Sequence, residues 1–149
     1  KINYVYNAFL VLIGPIEEKF IKNYFRNNKK IIYYGKTLYP EKWYSMADIL
    51  CLPSYREGFG SVVIEAGSCN LPTLGSNIYG ITDAIVENKT GFFHTVGNVN
   101  DLKKKMKFAI KNKILLRKFG EKSRKRVIKN FNDNLVSKKF IEFINSRIN

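Results

Sequence analysis

The 149-residue sequence predicts an α/β fold, a Rossmann-like parallel sheet with helices on both faces and the C-terminal helices packed on the sheet. Three observations predict it. Short apolar runs alternate with segments whose apolar residues recur every three or four positions, the pattern of βαβ units. The runs are continuous rather than alternating, as in strands covered on both faces. Glycine or proline closes several of them, so the chain turns sharply at strand ends. With 45% hydrophobic and 14% aromatic residues the chain offsets its ordering entropy, which excludes disorder.

Residues 9 to 13, Phe-Leu-Val-Leu-Ile before Gly14 and Pro15, read as a strand buried on both faces. Residues 17 to 28 follow as a helix with Phe20, Ile21, Tyr24 and Phe25 on one side. Residues 31 to 34 form a second strand stopped by Gly35, and residues 39 to 47 a short helix with Pro40 in its first turn. A third strand at 49 to 52 stops at Pro53. Residues 54 to 60, Ser-Tyr-Arg-Glu-Gly-Phe-Gly, are too glycine-rich for a strand or helix interior and read as a loop feeding a helix at 61 to 69. Residues 72 to 76 are a fourth strand, 80 to 86 a short helix and 91 to 94 a fifth strand. From Asp101 the pattern is wholly helical, through Leu102, Met106 and Ala109, then Leu116 and Phe119, then Val127 and Phe131. A last helix sets Val136, Phe140, Phe143, Ile144 and Ile148 in register, and these helices are expected to lie on the sheet.

Composition excludes several classes of function. Cys51 and Cys69 are too few for a disulfide scaffold and have no zinc spacing, so both read as small core residues in a reducing, cytoplasmic setting. The longest apolar run, residues 8 to 16, is about half the ~20 residues of a spanning helix. No Asp-x-Asp pair is present to hold a divalent ion, so no metal and no cofactor is expected. His94, the only histidine, closes a strand with no cluster around it and reads as structural, and Trp43 with its neighbouring tyrosines reads as packing.

The formal net charge is +14, and residues 103 to 149 carry sixteen basic and three acidic side chains, which places +13 of it in the last third. Such a face is either solvated or drawn to an anionic inner membrane surface. Nucleic acid is not expected, because no aromatic interleaving or nucleic-acid motif accompanies the charge.

The chemistry concentrates in residues 53 to 75. A glycine-rich turn at the carboxyl end of a parallel strand delivers the chain into a helix N-terminus, which is where open α/β sheets bind ligands. Free amides over residues 60 to 63 and the positive end of the helix dipole favour a phosphate or diphosphate. Glu57 and Glu65 flank the turn. Beside an anion, carboxylates more naturally accept hydrogen bonds from sugar hydroxyls. The site then reads hydroxyl, phosphate, hydroxyl, the outline of a nucleotide sugar. Arg56 either adds positive charge beside it or is simply solvated.

The spacing from Glu57 to Glu65, in the frame Pro53-Ser-x-x-Glu57-Gly-Phe-Gly60 and followed by Ala66-Gly-x-x-x-Leu71-Pro72, resembles family 4 (group 1) of the retaining glycosyltransferases, which have a two-Rossmann-domain architecture. The likeness extends to residues 10 to 14, 47 to 54 and 80 to 91. It implies that residues 1 to 149 are the donor nucleotide-sugar-binding half of such an enzyme. In that role Glu57 contacts the transferred hexose as the catalytic carboxylate, and Gly58, Phe59 and Gly60 run along that sugar. The amides of Ser61 and Val62 hold the distal phosphate, and Glu65 binds the ribose. The loop Gly35, Lys36 and Thr37 lies against the base. The resemblance further implies a glycan or lipid-linked acceptor and a role in bacterial cell-envelope polysaccharide synthesis; with a lipid-linked acceptor the basic tail would suit peripheral attachment to the inner face of the membrane.

The family's domain opens with a strand bearing a Gly-Arg turn and a nearby Lys. That strand and its helix, like the acceptor domain, are expected to lie outside this chain, Lys1 being read as an internal start. The absent strand would be central, between residues 9 to 13 and 49 to 52. The fragment alone is expected to be inactive. Two other functions fit the residues less well: a sugar-nucleotide epimerase of the same architecture, and a non-catalytic module that binds nucleotide sugars or docks on membranes.

Overall fold

The computed structural model describes residues 7–16 and 28–148. The chain falls into two compact units, Lys1–Lys42 and Trp43–Asn149. In the first, β1 (Leu10–Ile13) and β2 (Ile31–Gly35) pair in parallel, with Leu10 opposite Ile31 and Leu12 opposite Tyr33. The register then shifts, so that Ile13 faces Gly35. Gly35 has φ +88°, a left-handed conformation that favours glycine and ends the strand. The Tyr33 hydroxyl donates to the Gly14 carbonyl at 3.1 Å and ties the two strand ends together.

β1 departs from the expected doubly buried strand. Phe9, Val11 and Ile13 are exposed and Leu10 and Leu12 half-buried, the alternation of a strand covered on one face. The helix expected over residues 17 to 28 lies, apart from Asn28, outside the described residues.

α1 (Pro40–Met46) leads from the first unit into the second, where β3 (Leu50–Leu52), β4 (Thr73–Ser76) and β5 (Gly91–His94) form a parallel sheet in that order. Leu50 faces Thr73, and Thr73 faces Gly91. Central β4 is buried throughout.

Successive side chains of a strand point to opposite faces, and here each face has its own core. Leu74 and Phe92 pack with Ala109, Leu116 and Phe119, which come from α4 (Val99–Lys111) and α5 (Lys113–Asn130). Val63, Ile81, Ala84 and Ile85 form the other core, from α2 (Ser61–Ser68) and α3 (Ile81–Ala84) with the residue after it. Helices therefore cover both faces, as the sequence predicts.

Small residues set the close approaches. A Cβ on Gly67 of α2 would lie 2.6 Å from Ser123 Oγ and 3.0 Å from Val127 of α5, so this helix pair meets only through glycine. α2 ends with three hydrogen bonds, from the Cys69 and Leu71 amides to the Ala66 carbonyl and from the Asn70 amide to the Gly67 carbonyl, with Asn70 left-handed at φ +59°. α4 opens on the Asn98 side chain, which accepts from the Asp101 amide at 3.0 Å, while the Asp101 carboxylate accepts from the Thr95 amide at 2.8 Å. The bond from Thr95 holds the Asp101 carboxyl below its ordinary pKa.

α6 (Asp133–Ile148) corrects the expectation that every C-terminal helix lies on the sheet. None of its residues is buried, and Val136, Phe140, Phe143, Ile144 and Ile148 are all exposed. The periodicity is that of an amphipathic helix, yet its apolar side chains stay largely in contact with solvent.

Candidate functional site

The chain leaves the carboxyl end of β3 at Leu52, runs through residues 53–60, and enters α2 at Ser61. Gly60 caps that entry in a left-handed conformation, φ +64° and ψ +49°, which L side chains rarely adopt. With no side chain capping the helix, the first amides of α2 are left to a ligand or to water. The Val63 amide, expected to be free, instead donates to the Gly60 carbonyl at 2.8 Å, because the first turn closes tightly. Of the first-turn amides expected from the sequence to meet an anion, those of Ser61 and Val62 are left. No acidic side chain lies in this first turn to oppose an anion.

Each carboxylate has one oxygen occupied by a protein hydroxyl. Ser54 Oγ donates to Glu57 Oε1 at 2.7 Å, and the Tyr44 hydroxyl donates to Glu65 Oε2 at 3.0 Å. Every side chain keeps a second oxygen for another partner. Glu65 stands one helical turn after Ser61, and both are exposed while Val63, Ala66 and Gly67 face the interior. Burial and the neighbouring Glu65 carboxylate push the Tyr44 phenol well above its ordinary pKa, which keeps it a donor.

The loop rests on a second turn. A Cβ on Gly80, at φ +87°, would lie 2.5 Å from the Gly58 carbonyl oxygen and 2.6 Å from that of Glu57. Only glycine admits so close an approach. On another side the ring of Phe59 lies 5.6 Å from that of Phe131, inclined at 50°. The Arg126 guanidinium sits 4.8 Å from the Phe131 centroid and donates to the Ala84 carbonyl at 3.0 Å and the Asp83 carbonyl at 2.7 Å. Burial lowers the Arg126 pKa, an effect that Asp83 opposes.

Of the residues singled out from sequence, Arg56, Glu57, Gly58, Phe59, Gly60, Ser61, Val62 and Glu65 fall along one loop and the helix it enters. Arg56 is exposed there. Gly35, Lys36 and Thr37 belong to the first unit, at the carboxyl end of β2, where Thr37 Oγ1 accepts from the Tyr39 amide at 3.0 Å. Tyr44, Arg126 and Phe131 carry no local pattern that ties them to the site, whereas Ser54 stands in the frame before Glu57 and Gly80 opens the segment 80 to 91 that shares the likeness. Tyr44 reads as packing in the sequence, yet its hydroxyl reaches Glu65 across 21 positions.

His94 is buried, with Nδ1 3.0 Å from the Thr95 carbonyl and Nε2 3.3 Å from Ser76 Oγ, so both nitrogens have partners, as a structural histidine requires. Cys51 packs against the Leu74 core, and burial pushes its thiol up to about 11. Cys69 is half-buried at the end of α2. Among the described residues no group of three His, Cys, Asp or Glu gathers to hold a metal, and no helix is long and apolar enough to cross a membrane.

Comparison with known proteins places this geometry in a family. The model of glycosyl transferases group 1 matches residues 1–126. The capsular polysaccharide biosynthesis glycosyltransferase CapM of Staphylococcus aureus is 29% identical over 136 residues, 88% of this chain and 36% of CapM. A crystal structure of S. aureus TarM, a G117R mutant in complex with fondaparinux, alpha-GlcNAc-glycerol and UDP, superposes with a TM-score of 0.83 at 25% identity, covering 95% of this chain and 30% of that one. Alr3699/HepE of Anabaena, crystallised with UDP-glucose, has the same fold, with a TM-score of 0.84 at 16% identity over 97% of this chain and 44% of its own. The chain spans about a third of the length of CapM. A parallel-sheet core, a glycine-rich turn into a helix N-terminus and a match over most of its length agree: the chain belongs to the group 1 glycosyltransferases.

Proposed function

We propose that these residues are the donor half of a retaining hexosyltransferase that moves a hexose from a nucleoside-diphosphate sugar to a glycan or lipid-linked acceptor. One observation carries the reading: two carboxylates, each steadied on one oxygen by a protein hydroxyl, flank the open amides of Ser61 and Val62. The diphosphate rests on those amides and the helix dipole, which contributes roughly 0.3 to 1 kcal/mol. Glu65 takes the ribose hydroxyls and Glu57 the hexose, with the 58–60 backbone alongside. Gly35, Lys36 and Thr37 serve the base. The UDP held by TarM and the UDP-glucose held by HepE support a nucleotide-sugar donor, and CapM supports cell-envelope polysaccharide synthesis.

In this reading the acceptor site, the first strand and helix of the donor domain, and the cations facing the departing diphosphate come from sequence outside these 149 residues. The protein supplies positioning and electrostatic stabilisation of the leaving group, with no metal and no cofactor. It works on the cytoplasmic side, held at the anionic membrane surface by the basic helices.

A panel of UDP-, GDP- and ADP-hexoses supplied to the intact protein with lipid-linked and glycan acceptors tests the proposal. The expected result is transfer from one donor, insensitive to chelator, with the anomeric configuration kept when the product is examined by NMR. Inversion would overturn the retaining assignment. Epimerised nucleotide sugar without transfer would favour an epimerase, and binding without turnover a non-catalytic module.

A further inference from the structure

We infer that Arg126 and Phe131, at the carboxyl end of α5, are positioning residues for the sugar-contacting loop, an inference that rests on the reading of residues 57–60 as the donor loop. The contacts close a circuit. Phe59, two residues after Glu57, leans on Phe131. Phe131 lies under the Arg126 guanidinium. Arg126 fixes the last carbonyls of α3 through two hydrogen bonds. α3 begins just after Gly80, whose backbone abuts the Glu57 and Gly58 carbonyls, and so the chain of contacts returns to the loop.

Each link has a chemical reason. The last carbonyls of a helix have no partner within it, and the planar guanidinium fork reaches two at once, which a lysine ammonium does not do in the same geometry. Stacking on Phe131 uses the guanidinium face that those bonds leave open. The Phe131 ring meets an otherwise solvent-facing Phe59, 43% exposed, and offers it one seat. Seventy-two positions separate the two rings, so the loop that carries Glu57 takes its place from the far end of the sheet's covering helix. Phe131 is also the C-cap of α5 and lies two residues before α6, whose first turn donates the Leu135 amide to Asn132 Oδ1 at 2.9 Å.

The test makes Arg126→Met, Phe131→Ala, Phe131→Leu and Phe131→Tyr in the intact protein and measures hydrogen exchange by mass spectrometry. Turnover and nucleoside-diphosphate affinity are measured with the donor that the panel selects. In Arg126→Met and Phe131→Ala, peptides covering residues 53–60 should exchange faster while those covering β4 and β5 keep their protection. Turnover should fall about tenfold or more, the scale expected when a reacting group is misplaced by a fraction of an ångström to 1 Å, with nucleotide affinity changed less than twofold. Phe131→Tyr should restore both readouts. Unchanged exchange in the loop, faster exchange in loop and sheet alike, or a looser loop with unchanged turnover would each overturn the inference. If Phe131→Ala does not fold, Phe131→Leu is read in its place. Glu57→Gln and Glu65→Ala serve as controls: if neither alters turnover or binding, the donor-site reading fails by itself, whatever the exchange data show.

Discussion

Glu57 and Glu65 have the same design: a protein hydroxyl, three positions away for Glu57 and 21 for Glu65, holds one carboxylate oxygen and leaves the other open. Tyr44→Phe removes the donor to Glu65 without changing shape. If Glu65 binds the ribose, nucleoside-diphosphate binding should weaken by about 1 kcal/mol, roughly fivefold in Kd by titration, with turnover at saturation unchanged. Gly80→Ala is a harsher change, since its Cβ meets two backbone carbonyls that cannot swing away. It should lower stability by about 1 to 3 kcal/mol in a denaturant melt and weaken nucleotide binding with it. Cys51 gives a pH prediction. Its folded pKa is raised by burial to about 11, so the native state favours the thiol. The stability this contributes is present below the unfolded thiol pKa, near 8.5, and is lost as pH rises toward 11. Cys51 should therefore resist iodoacetamide at pH 8 until the protein is unfolded, as read by mass spectrometry. Rapid labelling of the native protein would contradict this burial.

At the scale of elements, Leu74 in the fully buried β4 joins the core that α4 and α5 cover, and Leu74→Ala should cost about 2 to 5 kcal/mol in unfolding free energy. Such elements were legible because strand and helix periods are local: all five strands lie within a residue of their sequence bounds, and the loop at 53–60 enters α2 as expected. Part of the family frame proves to be architecture. Gly67 lets α2 meet α5, and Asn70 and Leu71 close the helix, so these positions are fixed by packing around the site. What periodicity could not reveal was non-local or came down to one bond. β1 and α6 have apolar patterns, but burial depends on what covers them, which a pattern does not encode. The tight first turn of α2 consumed the Val63 amide. Tyr44, Gly80, Arg126 and Phe131 act across 21 to 72 positions, beyond any window of local spacing.

For the whole molecule, charge is the conspicuous asymmetry. α5 turns Leu116, Phe119, Ser123 and Val127 inward and leaves Arg117, Lys118, Lys122, Lys125 and Lys129 exposed, with Glu121 the one acid in residues 103–130. Lys103, Lys105 and Lys107 of α4 are half-buried, so α5 is the better face to present to an anionic bilayer. If it docks there, the intact protein should co-sediment with phosphatidylglycerol vesicles at low salt. Binding should fall as the Debye length shrinks from ~30 Å at 0.01 M to ~8 Å at 0.15 M. Replacing Lys118, Lys122, Lys125 and Lys129 by Gln should remove up to about 4 kcal/mol, and vesicle binding unaffected by those changes would reject docking through α5. The claim on which the rest depends is that α2 and its entry loop hold a nucleotide sugar with Glu65 on the nucleotide and Glu57 on the hexose. Calorimetry with the nucleoside diphosphate of the selected donor, on the intact protein and its Glu65→Ala and Glu57→Gln variants, tests it most directly. The prediction is a loss of about 1.5 to 3 kcal/mol per charged hydrogen bond in Glu65→Ala, with affinity nearly intact in Glu57→Gln. Unchanged affinity in Glu65→Ala, or an equal loss in Glu57→Gln, would contradict it.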